Sequence, residues 1–478
     1  MTLTEELLPT ERQLLHSRFV DRLETAYHLN RKVVSFQANK EEPIYRWFKY
    51  KEGFSSSLVK YFLTEYAKKP GKLLDPFAGA GTTLFGGQEL GWESYGIEIL
   101  PVGVFVMETR EALKGIDIDT LRSTVGDLWK ELAKIENYEI HINHISITKD
   151  AFADETEILL NKFLSYCSKI KDQKTQTVLR FAAFSVLEEI SFTRKDGQYL
   201  RWDYRSKRNL FGKPFDKGRI LSFDEALKHK LNQIVSDLLP SQPINLFEQN
   251  PYNRSDNRHK SHPVKITAGS CLEELPKLNE DFFDFIVTSP PYCNRYDYTR
   301  TYALELVYLG NSSEQVRNLR QAMLSCTVEN KEKIDFLSRI YSSLGKEETF
   351  YRVMDVYKNC NAMSEINSVL GELNKLDKLN NANITRMVRN YFLEMCFVIY
   401  EMARVTKSGG YCVMVNDNVR YGGEEIPVDL ILSEFAENFG FKINKIFVLP
   451  KGKGNSSQQM GSFGRTEVRK CVYLWQKN

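Results

Sequence analysis

The chain of 478 residues contains no run of 18 apolar residues, so no helix in it is expected to cross a bilayer. Its first stretch, Met1 to Leu15, lacks a basic head followed by an apolar segment and carries Glu5, Glu6 and Glu11, which argues against a secretory signal. Eight cysteines are scattered without a CxxC pair, and seven histidines accompany them. No structural metal site is therefore expected, and reduced thiols in a cytoplasmic protein are. A formal charge of +3 is close to neutral for this length, so any face for a polyanion must come from local clustering. What the chain does have is bulk: 42% hydrophobic residues suffice for a large core, and the length allows two or three domains.

The stretch with the clearest chemistry follows the apolar run Phe282 to Val287. It reads Thr288-Ser289-Pro290-Pro291-Tyr292. A run this apolar, stopped by two prolines, predicts a buried strand with the tetrapeptide Ser289 to Tyr292 at its carboxyl end. Open parallel α/β sheets bind ligands outside those ends. These residues suit methylation of an exocyclic amino group on a planar base. The Ser289 hydroxyl and a backbone carbonyl beside Pro290 can accept both amino hydrogens and draw the nitrogen toward tetrahedral geometry. Pro290 and Pro291 stiffen the loop, and Tyr292 offers a face on which an extruded base can stack. A Pro-Cys nucleophile is absent, because Tyr292 follows Pro291. Cys293 is expected to be a structural thiol.

A second motif, Leu73-Leu74-Asp75-Pro76-Phe77-Ala78-Gly79-Ala80-Gly81-Thr82-Thr83, reads as a short strand, a glycine-rich turn and the start of a helix. Gly79 and Gly81 would let a ligand approach the backbone. The next strand, Trp92 to Glu98, ends in an acid about 20 residues after the glycine turn, the usual acceptor of ribose hydroxyls. Asp75 and Glu98 thus bracket a nucleoside-like cofactor, with Pro76, Phe77, Thr82, Thr83 and Ile99 around them.

Together, DPFAGAGTT and TSPPY resemble the S-adenosylmethionine-dependent DNA amino-methyltransferases that act on cytosine N4 or adenine N6, over about residues 43–103 and 264–310 and more loosely over 385–478. The resemblance implies a Rossmann-like, mostly parallel sheet flanked by helices, with S-adenosylmethionine as cofactor. It also implies double-stranded DNA as substrate and a separately encoded restriction endonuclease as the companion of a restriction-modification pair. The serine-led tetrapeptide points to cytosine N4, with adenine N6, an RNA amino group and a silent DNA-binding subunit as alternatives. In the family, the segment upstream of the glycine turn closes over the methionine part of the cofactor, which selects Phe54 and Ser55. The strand Pro263 to Cys271 usually ends in Gly-Asp near the adenine; here Ser270, beside Cys271, stands in the place of the acid.

Two long stretches interrupt this pattern. Residues 105–262 are expected to be a mainly helical insertion and the target-recognition region. From Arg194 to Arg219, nine basic residues face Asp196, Asp203 and Asp216, a net +6, with Tyr199, Trp202 and Tyr204 interleaved. That mixture suits phosphate contact combined with stacking and selects Arg194, Lys195, Arg201, Trp202, Arg205 and Arg208. Arg295 and Arg300, in the polar aromatic loop after Tyr292, are further phosphate candidates, as are Lys451 and Lys453 in a glycine-rich loop. Residues 311–384 read as a second helical insertion without a chemical motif. Residues 1–30 read as helical, so the expected order is an N-terminal helix and cofactor half (1–104), the first insertion, a catalytic half (263–310), the second insertion and a last part of the core sheet (385–478). In that last part Gly409 is expected to cap the helix Met387 to Val405.

Overall fold

A computed structural model describes residues 9–197, 199–208, 214–239, 262–450 and 468–478. Twelve strands occur among them: β1 Leu23–Thr25, β2 Lys72–Asp75, β3 Glu93–Glu98, β4 Thr193–Lys195, β5 Leu200–Trp202, β6 Val264–Ala268, β7 Phe283–Thr288, β8 Thr406–Asp417, β9 Val419–Tyr421, β10 Glu424–Ile426, β11 Phe441–Val448 and β12 Lys470–Lys477. Eight of these form one sheet in the order β1-β11-β12-β8-β7-β2-β3-β6. From β6 to β8 every neighbouring pair is parallel, β12 runs antiparallel between β8 and β11, and β1 lies parallel to β11. This is the expected Rossmann-like α/β architecture.

The sheet is covered on both faces, and alternation along its strands shows how. Leu74, Ile286, Cys412, Met414, Tyr473 and Trp475 join one apolar cluster, together with the helices Ile384–Val405 and Val428–Asn438. Their neighbours Leu73, Phe285, Val287, Val413, Val415 and Leu474 join another, under the helix Ser56–Tyr66. Side chains alternate across a strand, so a strand buried on both faces reads as a continuous apolar run. That is why Phe282 to Val287 shows no alternation in the sequence.

The chain leaves β2 toward β3 and β6 on one side, then crosses to β7 on the other. The point where the order reverses lies between β2 and β7, and a crevice opens there beyond the carboxyl ends. Asp75 ends one of these strands and Thr288 the other.

Residues 105–262 supply helices at Ile118–Ala133, Asp154–Cys167, Gln173–Ser185 and Phe223–Leu238, which build a separate apolar cluster with residues 302–308. Of the helices of 311–384, Ser313–Ala322 joins this same cluster through Val316 and Leu319, while the later ones pack on the cluster that covers the sheet. Two local expectations are corrected. Residues 1–30 do not form one helix: among those described, a helix covers Glu11–Phe19 and β1 then joins the sheet edge. Gly409 is not a helix cap, because the helix ends at Val405 with Thr406 as its cap. Gly409 instead takes φ +77° where Phe283 pairs with Thr406 and Phe285 already pairs with Tyr411. The extra residues of β8 need that left-handed conformation, which glycine adopts without strain.

Candidate active site

The crevice is a cleft with about 820 Å³ of empty space, open solvent included. Its floor is built by the glycine turn. Gly79 and Gly81 both have positive φ, +53° and +77°. A Cβ on Gly79 would come within 3.1 Å of the Tyr50 ring, at the cleft. One on Gly81 would meet Met107 and Phe85 at 2.7 and 2.8 Å, so that glycine serves the protein's own packing and does not line the cleft.

Two acids hold this turn in shape. Glu98 accepts hydrogen bonds from the Gly79 and Leu100 amides, each at 2.6 Å, while Asp75 accepts from the Thr288 hydroxyl at 2.6 Å and the Phe77 amide at 3.0 Å. The Thr288 bond crosses the switch point and ties β7 to β2. Burial pushes the Asp75 carboxyl up to about 6, against the hydrogen bonds it receives. Burial, helped by the charge of Asp75, likewise pushes Glu98 up to about 7.

Phe54, Asp75, Pro76, Phe77, Gly79, Thr82, Glu98, Ile99, Ser270 and Cys271 line this cleft, as do Ser289 and Pro291. Both halves recognised in the sequence therefore meet in one cavity. Ser55, Gly81, Thr83, Pro290 and Tyr292 are not on its wall. Ser55 is buried as the N-cap of the helix Ser56–Tyr66, and its hydroxyl donates to the Val33 carbonyl at 2.6 Å. Thr83 donates to the Val287 carbonyl at 3.1 Å. Ser270, in the place of the expected acid, donates to the Ala322 carbonyl at 3.1 Å and so anchors the end of β6 to the segment that carries Met323 and Leu324.

At the tetrapeptide, the Ser289 hydroxyl lies 3.2 Å from the Val415 carbonyl and 3.3 Å from the Tyr292 hydroxyl. Donating its one proton to either leaves its lone pairs for an incoming donor. Tyr292 is half-buried, and burial, then the charge of Asp417, raises its hydroxyl far above the ordinary phenol range. It stays neutral. Cys293 is wholly buried, its thiol pushed up by that burial, as suits a structural residue.

Sequence reasoning missed Phe36, Tyr50, Glu52, Tyr298, Met323 and Leu324, which also line the cleft. Glu52 lies two residues before Phe54 and Tyr298 lies in the polar aromatic loop, so both were within reach of the motifs. Met323 and Leu324 come from the second helical stretch, where no pattern announces them.

The basic residues fare differently. In the hairpin β4–β5, Arg194 stands directly opposite Arg201. Both are exposed and both stack on Phe215, at 5.3 and 4.1 Å, and neither has an ion pair among the described residues. Lys195 points the other way: it is buried, and its ammonium is engaged by Glu305, which removes it from the phosphate candidates. Arg205 clasps buried Asp203. Arg208 covers Trp202 at 3.9 Å and donates to the carbonyls of Ser146 and Lys149. Arg295 donates to Asn380, and Arg300 pairs with Asp297 and Glu329. These four guanidiniums hold the protein's own segments together. Lys451 and Lys453 lie outside the described residues.

Comparison with known proteins agrees with this geometry. The chain is 46% identical over 466 residues to the type II methyltransferase M.AvaI of Nostoc sp., covering 97% of this chain and 92% of that protein. The M.AvaI of Anabaena variabilis matches equally. M.BsoBI of Geobacillus stearothermophilus, also a type II methyltransferase, is 41% identical over 98% of this chain and 92% of its own length. No protein-family model and no solved structure matches the chain.

Proposed function

The chain belongs to the type II methyltransferases, and from that premise we propose that it transfers a methyl group from S-adenosylmethionine to the N4 amino group of cytosine in duplex DNA, as the protective half of a restriction-modification pair. The observation that carries this reading is Ser289 and Pro291 sharing one cleft with the glycine turn, Asp75 and Glu98.

The cleft fits such a cofactor. Its wall has Phe36, Phe54, Phe77, Ile97 and Leu100 for an apolar ring system, and the carboxylates of Asp75, Glu98 and Glu52. No lysine, arginine or histidine is among its lining residues, which suits a molecule of net positive charge. When bound, S-adenosylmethionine supplies an electrophilic methyl group. The protein's own part is to make the target nitrogen nucleophilic and to aim it.

An amino group on a pyrimidine ring is a weak nucleophile, since its lone pair is delocalised into the ring. Ser289, with its proton directed at Val415 or Tyr292, can accept one amino hydrogen, and a carbonyl beside Pro290 the other. Two such bonds favour the pyramidal nitrogen and orient its lone pair, a positioning effect that needs no covalent intermediate. A base inside a duplex cannot reach this cleft without leaving the stack, so flipping is part of the proposal.

The paired arginines of the hairpin support the DNA assignment. Like charges directly opposite each other on two strands cost stability. Arg194 and Arg201 keep that arrangement on the surface, which a polyphosphate partner would relieve.

Incubation with tritiated cofactor and duplex DNA, followed by nucleoside chromatography, tests the proposal. Label on N4-methylcytosine is expected; label on N6-methyladenine would replace the base assignment, and label confined to RNA would end the DNA assignment. Cofactor binding with no methylation of any DNA would identify a silent subunit instead.

A further inference from the structure

We infer that Glu52 gives the cleft its preference for the positively charged, methyl-bearing form of the cofactor over the uncharged thioether left after transfer; this rests on the reading of the cleft as an S-adenosylmethionine site. S-adenosylmethionine carries a sulfonium, an ammonium and a carboxylate, net +1. S-adenosylhomocysteine has lost the sulfonium charge and is neutral. The two differ by one methyl group and one unit of charge, so a wall that senses charge can tell them apart where shape hardly can.

Three carboxylates line the cleft without a cationic side chain among its lining residues, but they are not equivalent. Asp75 and Glu98 are held by backbone amides and by Thr288, and these bonds fix the glycine turn. Glu52 is held by two phenols: Tyr302 donates to it at 2.5 Å and Tyr296 donates to the other oxygen. It lines the same cleft as Tyr298, Ser289 and Pro291. A carboxylate has about four acceptor positions, and two phenols leave the others open.

Burial raises the Glu52 carboxyl, while the hydrogen bonds from Tyr296 and Tyr302 and the charge of Lys195 act to hold it down. Tyr302 stacks on Tyr50 with centroids 5.3 Å apart and planes 11° apart, so the donor that holds Glu52 is itself fixed. Lys195 lies 4.4 Å over the outer face of the Tyr302 ring, but its ammonium is engaged by Glu305. The Tyr50 hydroxyl is raised by burial and then by the charges of Glu98, Glu52 and Asp75, which shows that all three acids bear on one region. The cleft thus gathers three acids, and the ammonium of Lys195, behind Tyr302, is paired with Glu305.

Isothermal titration of the full chain with S-adenosylmethionine and, separately, with S-adenosylhomocysteine tests this. E52Q is expected to lose about tenfold in affinity for the sulfonium, the size expected when one charge at close range in a half-buried wall is removed. Affinity for the thioether should change less than about twofold, since no net charge is opposed. Equal losses for both ligands, or no loss for either, would overturn the inference. Should E52Q fail to fold, the wild-type protein can be titrated with 5′-dimethylsulfonio-5′-deoxyadenosine and 5′-methylthioadenosine, which differ in the same charge and lack the amino-acid tail. Tighter binding of the sulfonium is expected, and equal binding would refute the charge argument. If wild type binds neither S-adenosylmethionine nor S-adenosylhomocysteine, the fault lies in the reading of the cleft itself and not in the role of Glu52.

Discussion

Replacing Gly103 by Ala should destabilise this protein, although the same exchange in a helix interior ordinarily stabilises. Gly103 lies in the helix Pro101–Ala112, where Ala is favoured over Gly by about 1 kcal/mol. Its Cβ, however, would lie 2.4 Å from the Gly79 carbonyl oxygen and 2.9 Å from the Glu98 side chain. Ordinary contact begins at 3.4 Å, so backbone must yield by about 1 Å, and overpacking of this kind costs about 1–3 kcal/mol. The clash outweighs the propensity. Because the yielding atom belongs to the glycine turn, the 2.6 Å bond from Gly79 to Glu98 is disturbed with it. Loss of a hydrogen bond to a charged group, about 1.5–3 kcal/mol, should weaken cofactor binding by about tenfold or more.

Gly126 supplies the control. It is exposed in the helix Ile118–Ala133, and a Cβ there meets nothing within 4 Å. Gly126→Ala should therefore stabilise by about 1 kcal/mol. Urea denaturation reads the two stabilities, and cofactor titration reads the site. Opposite signs are expected, with a binding defect in Gly103→Ala alone. If both variants stabilise, the close approach of this helix to the glycine turn is not as described, and the account of how the turn is held falls with it.

Without cofactor, stability should fall between about pH 4 and pH 7. Asp75 and Glu98 are raised to about 6 and about 7 from ordinary values of 3.8 and 4.5. Their contribution is complete below those ordinary values and is lost as pH rises through the folded ones, on the order of 3 kcal/mol each; an Asp75→Asn variant whose urea midpoint falls as steeply as wild type would contradict this. Tyr292→Ala should slow methyl transfer while leaving cofactor affinity within about twofold, and Glu98→Ala should weaken cofactor affinity first; single-turnover rates and titration separate them. Removing Arg194 and Arg201 together should lower the salt dependence of DNA binding by about two counterions, whereas Arg208→Ala should leave that slope unchanged and lower the melting temperature by uncovering Trp202.

The fold was legible because its signals are local. A six-residue apolar run stopped by Pro290 and Pro291, and a strand running into Gly79 and Gly81, name their own place in a parallel sheet. The edge was not: β1 is three residues long, and its membership depends on pairing Leu23 with Ile446, more than 400 positions away. Gly409 misled for a related reason. A glycine after a helix signals a cap, and only the register of β8 against β7 shows that the turn belongs to the strand. In the cleft, the glycine and proline residues could be read because backbone geometry demands those residue types. Glu52, though it lies beside Phe54, could be placed near the motif but not given its partners, since nothing in a Glu between Lys51 and Gly53 tells that two tyrosines some 250 positions later will hold it.

The basic stretch shows where counting stops being informative. Its net +6 is a property of the sequence, but attraction for phosphate depends on which cations remain without an internal partner. Arg205 is bound to Asp203, Arg208 to two carbonyls and an indole ring, Lys207 to Asp154, Arg219 to Glu225, Lys195 to Glu305 and Lys217 to the carbonyls of Glu188 and Ser191. Asp203 shows the strength of this engagement, since hydrogen bonds from Arg205 lower its carboxyl far below the ordinary range. An arginine so held would give up its partner before reaching DNA, and much of the Coulomb gain with it. Arg194 and Arg201 hold an aromatic ring, and Arg194 also donates to the Lys217 carbonyl, but neither meets a carboxylate among the described residues, which leaves their charge facing solvent. The aromatic and basic interleaving thus serves two ends at once: most of it folds the insertion, and the small remainder at the hairpin is what a phosphate backbone can meet.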